Sequence, residues 1–179
     1  MQLLQNPSTK FVIYFIGLSV LFNLGITFFE GLEGIGGTFD SAYYRAHIHL
    51  IENYRQFLLW CNQAFYALWH VPTNRFGEVV QIVGGYMGIR LNNGCLGLGV
   101  LSIWIAFVLS YPLPRNKRLA AFFLGSILLI LINIARLLIL LYIYSHNIGA
   151  NYPWIDQHFV FNVVSYGFIL GMGYLLVRE

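Results

Sequence analysis

Polar and charged positions divide this chain into long apolar windows. Residues 11–29 lie between Lys10 and Glu30 without a charge, and residues 91–114 lie between Arg90 and Arg115. Residues 119–144 hold one charge, Arg136, and residues 157–177 lie between Asp156 and Arg178. Each window is close to the ~20 residues a helix needs to cross a bilayer. Gln56–Val71 is shorter and contains Asn62, Gln63 and His70, which suits an interfacial or partly inserted helix. The pattern predicts an all-α integral membrane protein with four to five transmembrane helices. Between the first two windows, Tyr43, Tyr44, Ile48, Ile51, Tyr54, Leu58 and Tyr66 recur at helical spacing within Phe39–Trp69, until Pro72 ends the run. Glu78–Leu91 reads EVVQIVGGYMGIRL; β-branched residues on both sides of Gly84-Gly85 predict a short β-hairpin. Gly31–Gly37 reads as a flexible joint, and no internal repeat is visible.

Composition narrows the class further. Charged residues make up 9% of the chain and hydrophobic residues 58%, against about 25% charge in a soluble domain. Two cysteines do not make a disulfide framework. A net charge of +3 is too small to suggest a nucleic-acid partner. The length fits one polytopic membrane domain: an anchor span over 1–30, an outer-face segment over 31–94, and a three-span core over 95–179. The first window lacks a small-residue cleavage site, so it reads as a retained anchor. Loop cations set the orientation. The cluster Arg115, Lys117 and Arg118 faces the cytoplasm, with Lys10 and Arg178 on the same side. The third span then runs inward from about Cys95 to Tyr111, the fourth outward from Leu119 to about Ser145, and the last inward from about His158.

Three residues carry candidate chemistry in this layout. Arg136 sits within LGSILLILINIARLLILLYIY, where a charge at mid-membrane costs ~2.5–3.5 kcal/mol. It lies nine residues before Ser145, or ~13 Å along a helix. It reads either as a structural arginine bound to carbonyls or lipid phosphate, or as a site residue in a polar cavity. Asn133, three residues earlier on the same face, is placed to hold its fork. Cys95 follows Asn92-Asn93-Gly94 and precedes Leu96-Gly97-Leu98-Gly99. A glycine-rich turn at the head of a helix gives a cysteine close backbone approach, a helix N-terminus favouring an anionic nucleophile, and N–H groups for an oxyanion. Cys61 lacks this setting and reads as a small buried hydrophobe. His158, at the outer start of the last span, has the chemistry of a general base. His47, His49, His70 and His146 read as polar heads at a membrane edge. Asp156 and Asn162 are supporting candidates that would orient His158. Gly167 and Gly171 form a GxxxG pair best read as core packing. One cysteine and one or two histidines are too few to hold a metal, so neither metal nor other cofactor is expected.

The cation-derived topology puts Cys95 and His158 at one outer level, with Arg136 two to three turns below. A nucleophile, a base and a cation from three spans are the parts of acyl transfer through a thioester. The alternative is a non-catalytic membrane subunit that binds a partner helix or an anionic lipid. A small anion transporter is a further rival, disfavoured by the absence of repeats.

The runs NNGCLGLGVLSIWIAFVLSYP, NIARLLIL and DQHFVFNVVSYGFILGMGYLLV resemble the exosortase/archaeosortase family, and most of all the short single-domain exosortases of Bacteroidetes. That family's pattern is Cys-x-Gly at the head of one span, Asn-x-x-Arg within the next, and His at the head of the last. Here the matching residues are Cys95 with Gly97, Asn133 with Arg136, and His158, over about residues 90–177. Leu96 stands where the more familiar exosortases carry Ser or Ala. The resemblance implies a membrane cysteine transpeptidase or protease acting on secreted proteins. Its substrates carry a C-terminal sorting tail: a short motif, a membrane helix and a basic end. It implies transfer to a surface acceptor linked to polysaccharide or lipid. It also implies a multi-pass protein of the bacterial inner membrane with its site at the periplasmic face.

Overall fold

The computed structural model describes residues 6–33, 42–148 and 157–178, and most of these are helical. Helix α1 (Pro7–Glu33) begins at a favourable local signal. Asn6 Oδ1 accepts the Ser8 N–H at 3.0 Å and the Asn6 carbonyl accepts the Lys10 N–H at 3.1 Å. Pro7 fills the first helical position, where a missing N–H costs nothing. The helix does not stop at Glu30 but continues to Glu33, because glutamate is a good helix former and one charge does not break a helix. Gly31 is therefore helical rather than part of a joint; Gly34–Gly37 lie outside the described residues.

The expected outer helix is two helices, α2 (Ala42–His47) and α3 (Leu50–Leu68), broken at His49, whose backbone leaves helical space at φ −131° and ψ 34°. Trp69 and His70 close α3 by donating to the carbonyls of Tyr66 and Ala67, ahead of Pro72. A three-stranded antiparallel sheet follows: β1 (Thr73–Phe76), β2 (Val79–Ile82) and β3 (Ile89–Arg90), in that order. The β2–β3 pair, in register Val79↔Arg90 and Val80↔Ile89, is the expected hairpin. Strand β1, TNRF, was not expected, since it offers too few apolar positions to show alternation. It joins β2 through a tight turn at Gly77.

Helix α4 (Leu98–Ser110) has 13 residues, shorter than its apolar window. The turn through Cys95 takes up one end of that window and Pro112 and Pro114 take up the other. Helix α5 (Arg115–Ser145) has 31 residues, about 46 Å at a rise of 1.5 Å each, and α6 spans Gln157–Arg178. Two helices, α1 and α5, are long and apolar enough to cross a membrane; Leu98–Ser110 and Asn162–Leu176 are shorter apolar helices.

The chain forms two compact units. One contains α1, α2, α4, the first half of α5 and the end of α6. In it α1 meets α4 edge-to-face, with the Phe11 ring 5.9 Å from Phe107 and 5.7 Å from Tyr111. Trp104, 1% exposed, lies against Gly125 of α5; a Cβ there would sit 2.3 Å from the indole. We expect Gly125→Ala to lower the thermal unfolding midpoint of the detergent-solubilised protein. Alanine gains about 1 kcal/mol of helix propensity, but overpacking a filled core costs about 1–3 kcal/mol. A raised midpoint would show that Trp104 moves aside freely.

The other unit contains α3, the sheet, the second half of α5 and most of α6. Helix α3 buries one face: Ile51, Leu58, Leu59, Asn62 and Tyr66. The Tyr66 hydroxyl donates to the Leu138 carbonyl on α5 at 2.8 Å. The sheet buries Val80, Ile82 and Ile89, and α6 buries Ser165 and Ile169 one turn apart. Gly167 and Gly171 are not in packing: among the described residues a Cβ on either would meet nothing within 4 Å.

Candidate active site

The site is built where the chain leaves the sheet. Leu91, fully buried, closes the β2–β3 ladder by donating its N–H to the Glu78 carbonyl at 3.0 Å. The backbone then turns tightly through Asn93–Cys95, a single 3₁₀ turn. Asn92 makes that turn by local chemistry. Its carbonyl and its side-chain Oδ1 both accept the Cys95 N–H, at 2.9 and 3.1 Å. The Leu96 N–H goes to the Asn93 carbonyl at 3.2 Å. Two backbone donors expected to face an oxyanion are thus engaged within the turn. Helix α4 starts only at Leu98, behind Gly97 at φ +73°. Cys95 therefore sits ahead of the helix and not in its first turn. The left-handed backbone at Gly97 explains the glycine of the Cys-x-Gly pattern, because a Cβ there costs about 1–2 kcal/mol.

The second half of α5 supplies the other side. The Asn133 amide donates to the carbonyls of Cys95 and Leu96, at 3.2 and 3.0 Å. An amide NH₂ has two donors, and the turn presents two carbonyls to them; the expected hold on the Arg136 fork would use Asn133 Oδ1, which accepts no hydrogen bond among the described residues. One turn further along α5, Arg136 lies close enough to the Cys95 thiol for the two to interact electrostatically. All three are buried, with Cys95 6%, Asn133 2% and Arg136 8% exposed. A guanidinium in so dry a place has strong interactions with nearby charge, because little water screens it.

His158 is the second residue of α6; its side chain, and Asp156 as a whole, lie outside the described residues. Asn162 is on α6 and exposed. Cys61 is half-buried on α3, and burial pushes its thiol pKa up, which agrees with an inert role. The His47 ring stacks on Tyr43 of α2, and the His146 ring, just past the end of α5, is tilted 33° against Tyr142; they donate to the carbonyls of those tyrosines at 2.8 and 2.9 Å.

Sequence reasoning missed the helix α3 contribution. Arg55 reaches Glu52 one turn back, Glu78 Oε1 at 2.7 Å, and Asn93 Oδ1 in the cysteine turn at 2.5 Å. Only the Glu52–Arg55 spacing was visible locally; the other partners are 23 and 38 residues away. Also between α3 and α5 lies an apolar cavity of about 750 Å³, lined by Phe65, Trp69, Leu138 and Tyr142 among others. It extends to Ala135, next to Arg136. No family model, curated protein or solved structure matches this chain.

Proposed function

We propose that this protein is an exosortase-type cysteine transpeptidase that cleaves C-terminal sorting tails through a thioester on Cys95. The observation that carries the proposal is that Asn133 fixes the cysteine turn against α5, which buries Cys95 beside the cation Arg136.

In this reading Cys95 Sγ attacks the scissile carbonyl carbon, and His158 takes the thiol proton. Negative charge passes from sulfur to the carbonyl oxygen, where Arg136 stabilises it; with the turn's own N–H groups engaged, the guanidinium is the main oxyanion donor. Collapse breaks the C–N bond, and His158 protonates the departing amine. The acyl group stays on sulfur as a thioester until an acceptor nucleophile, deprotonated by His158, displaces the thiolate. The apolar cavity between α3 and α5 is of a size for an apolar segment of the substrate. The enzyme would be a multi-pass protein of the bacterial inner membrane working at the periplasmic face. Its partners would be a secreted protein with an apolar tail, membrane lipid, and an acceptor linked to polysaccharide or lipid.

Trapping tests this. Co-expression with a secreted protein that ends in an apolar helix and basic tail should give a covalent adduct at Cys95. Hydroxylamine should release it, as it does thioesters. A hydroxylamine-resistant adduct, or processing with no adduct at Cys95 under quench conditions, would exclude the thioester route.

A further inference from the structure

We infer that Arg55 is a positioning residue for the Cys95 nucleophile, acting through Asn93. The inference rests on the catalytic reading of Cys95. Three pieces of chain meet at this one guanidinium, and a fourth joins through Glu78. Helix α3 supplies Arg55 and Glu52. The turn before β2 supplies Glu78, whose Oε1 takes Arg55 Nη1 at 2.7 Å. Strand β3 joins through Arg90 Nε, 3.1 Å from Glu78 Oε2. The cysteine turn joins through Asn93 Oδ1, 2.5 Å from Arg55 Nη2. Asn93 is two residues before Cys95, and its carbonyl accepts the Leu96 N–H. The turn is therefore held on both sides, by Asn133 of α5 at its Cys95 and Leu96 carbonyls and by Arg55 of α3 at its first residue.

The pair contributes differently from a surface ion pair. The Arg55 side chain is only 11% exposed, whereas Arg90 is 75% exposed. Salt and water screen Arg90 and weaken its hold. Arg55 is shielded, and its planar fork reaches Glu78 from one nitrogen and Asn93 from the other. Lysine brings the charge but not two nitrogens at that fixed separation. With lysine the carboxylates would keep a cation, while Asn93 would lose its donor and the turn would loosen. A nucleophile displaced by even 1 Å costs about 10²-fold in rate, so a modest loosening has a large effect on turnover and little on substrate binding.

The test uses the full-length protein in a Cys61→Ser background, leaving Cys95 as the one thiol. Arg55→Lys and Asn93→Ala, alone and combined, are read in two ways. The first is alkylation of Cys95 by iodoacetamide in detergent. Loosening should raise the rate of the buried thiol roughly tenfold in each single variant, with no further rise in the double, since both act on one contact. The second is processing of the tailed substrate. Here kcat should fall roughly 10- to 100-fold with KM nearly unchanged. Asn93 is exposed, so Asn93→Ala reports even if Arg55→Lys impairs folding. Unchanged alkylation in both variants overturns the proposal whatever the activity, and so do additive effects in the double. If alkylation responds as expected but Cys95→Ser still processes substrate, the enzyme reading falls separately: Arg55 would then position a cysteine that is not the nucleophile.

Discussion

If Cys95 is the proposed nucleophile, Cys95→Ser should abolish C-terminal processing while the protein still folds and reaches the membrane. The substitution exchanges sulfur for oxygen at a site that is 6% exposed and leaves the architecture around it alone. The bonds that shape the turn run to backbone atoms: Asn92 to the Cys95 N–H, and Asn133 to the Cys95 and Leu96 carbonyls. None requires a thiol. On the proposed mechanism, what would be lost is a polarizable nucleophile and a good leaving group in the second half of the reaction. We expect processing per molecule to fall by about 10⁴-fold or more, the scale seen when a nucleophile is removed from a coupled set. A blot for the cleaved tail, with membrane-fraction quantity as control, reads both halves of the claim. Wild-type processing by Cys95→Ser would leave the non-catalytic, partner-binding subunit as the better account of the protein.

Arg136→Lys should cost about 10²–10³-fold in turnover, the range for removing one oxyanion donor. The choice of lysine separates two roles of the residue. Both cations cost ~2.5–3.5 kcal/mol at the centre of a membrane helix, so the variant should be inserted in similar amount. The positive charge also remains near Cys95. Only the planar fork is gone, and with it the ability to direct one N–H at the sulfur and another at the developing oxyanion. Single-turnover rates on the tailed substrate measure the loss, and adduct yield at long times checks that Cys95 still reacts. A rate equal to wild type would mean that charge near the sulfur is enough and that hydrogen-bond geometry at Arg136 does not matter.

Local pattern made part of this site legible. Charge scarcity isolated Arg136, because a cation within the window 119–144 has no local explanation. The Asn-Asn-Gly run marked a tight turn at Cys95, and the Asx bond from Asn92 is its physical content. The sequence-based role of Asn133 was different from the observed one. Spacing along a helix shows which residues share a face, so it suggested an Asn133–Arg136 contact; the observed partners of the Asn133 amide are backbone carbonyls 37 and 38 residues away, which no helical period contains. The same reason hides Arg55, whose link to Asn93 spans 38 residues. Helix ends were misjudged where charge or apolar length was used as the criterion. Glu30 does not stop α1, and α4 is cut to 13 residues by a turn and two prolines inside its apolar window.

The sequence by itself determined that most of the chain is helical and apolar, that α1 and α5 are long enough to cross a membrane, and that a hairpin precedes Cys95. These follow from short-range rules: periodicity, proline and glycine placement, and the energetic cost of charge in apolar surroundings. The tertiary structure alone decided which donors hold the cysteine turn, that Arg136 lies beside the thiol, and that α3 joins the site through Arg55. Those outcomes depend on which of several equally plausible polar groups is satisfied when helices pack. A buried donor must find an acceptor wherever the fold supplies one, and in this chain the acceptors for Asn133, and two of the three for Arg55, lie far away in sequence.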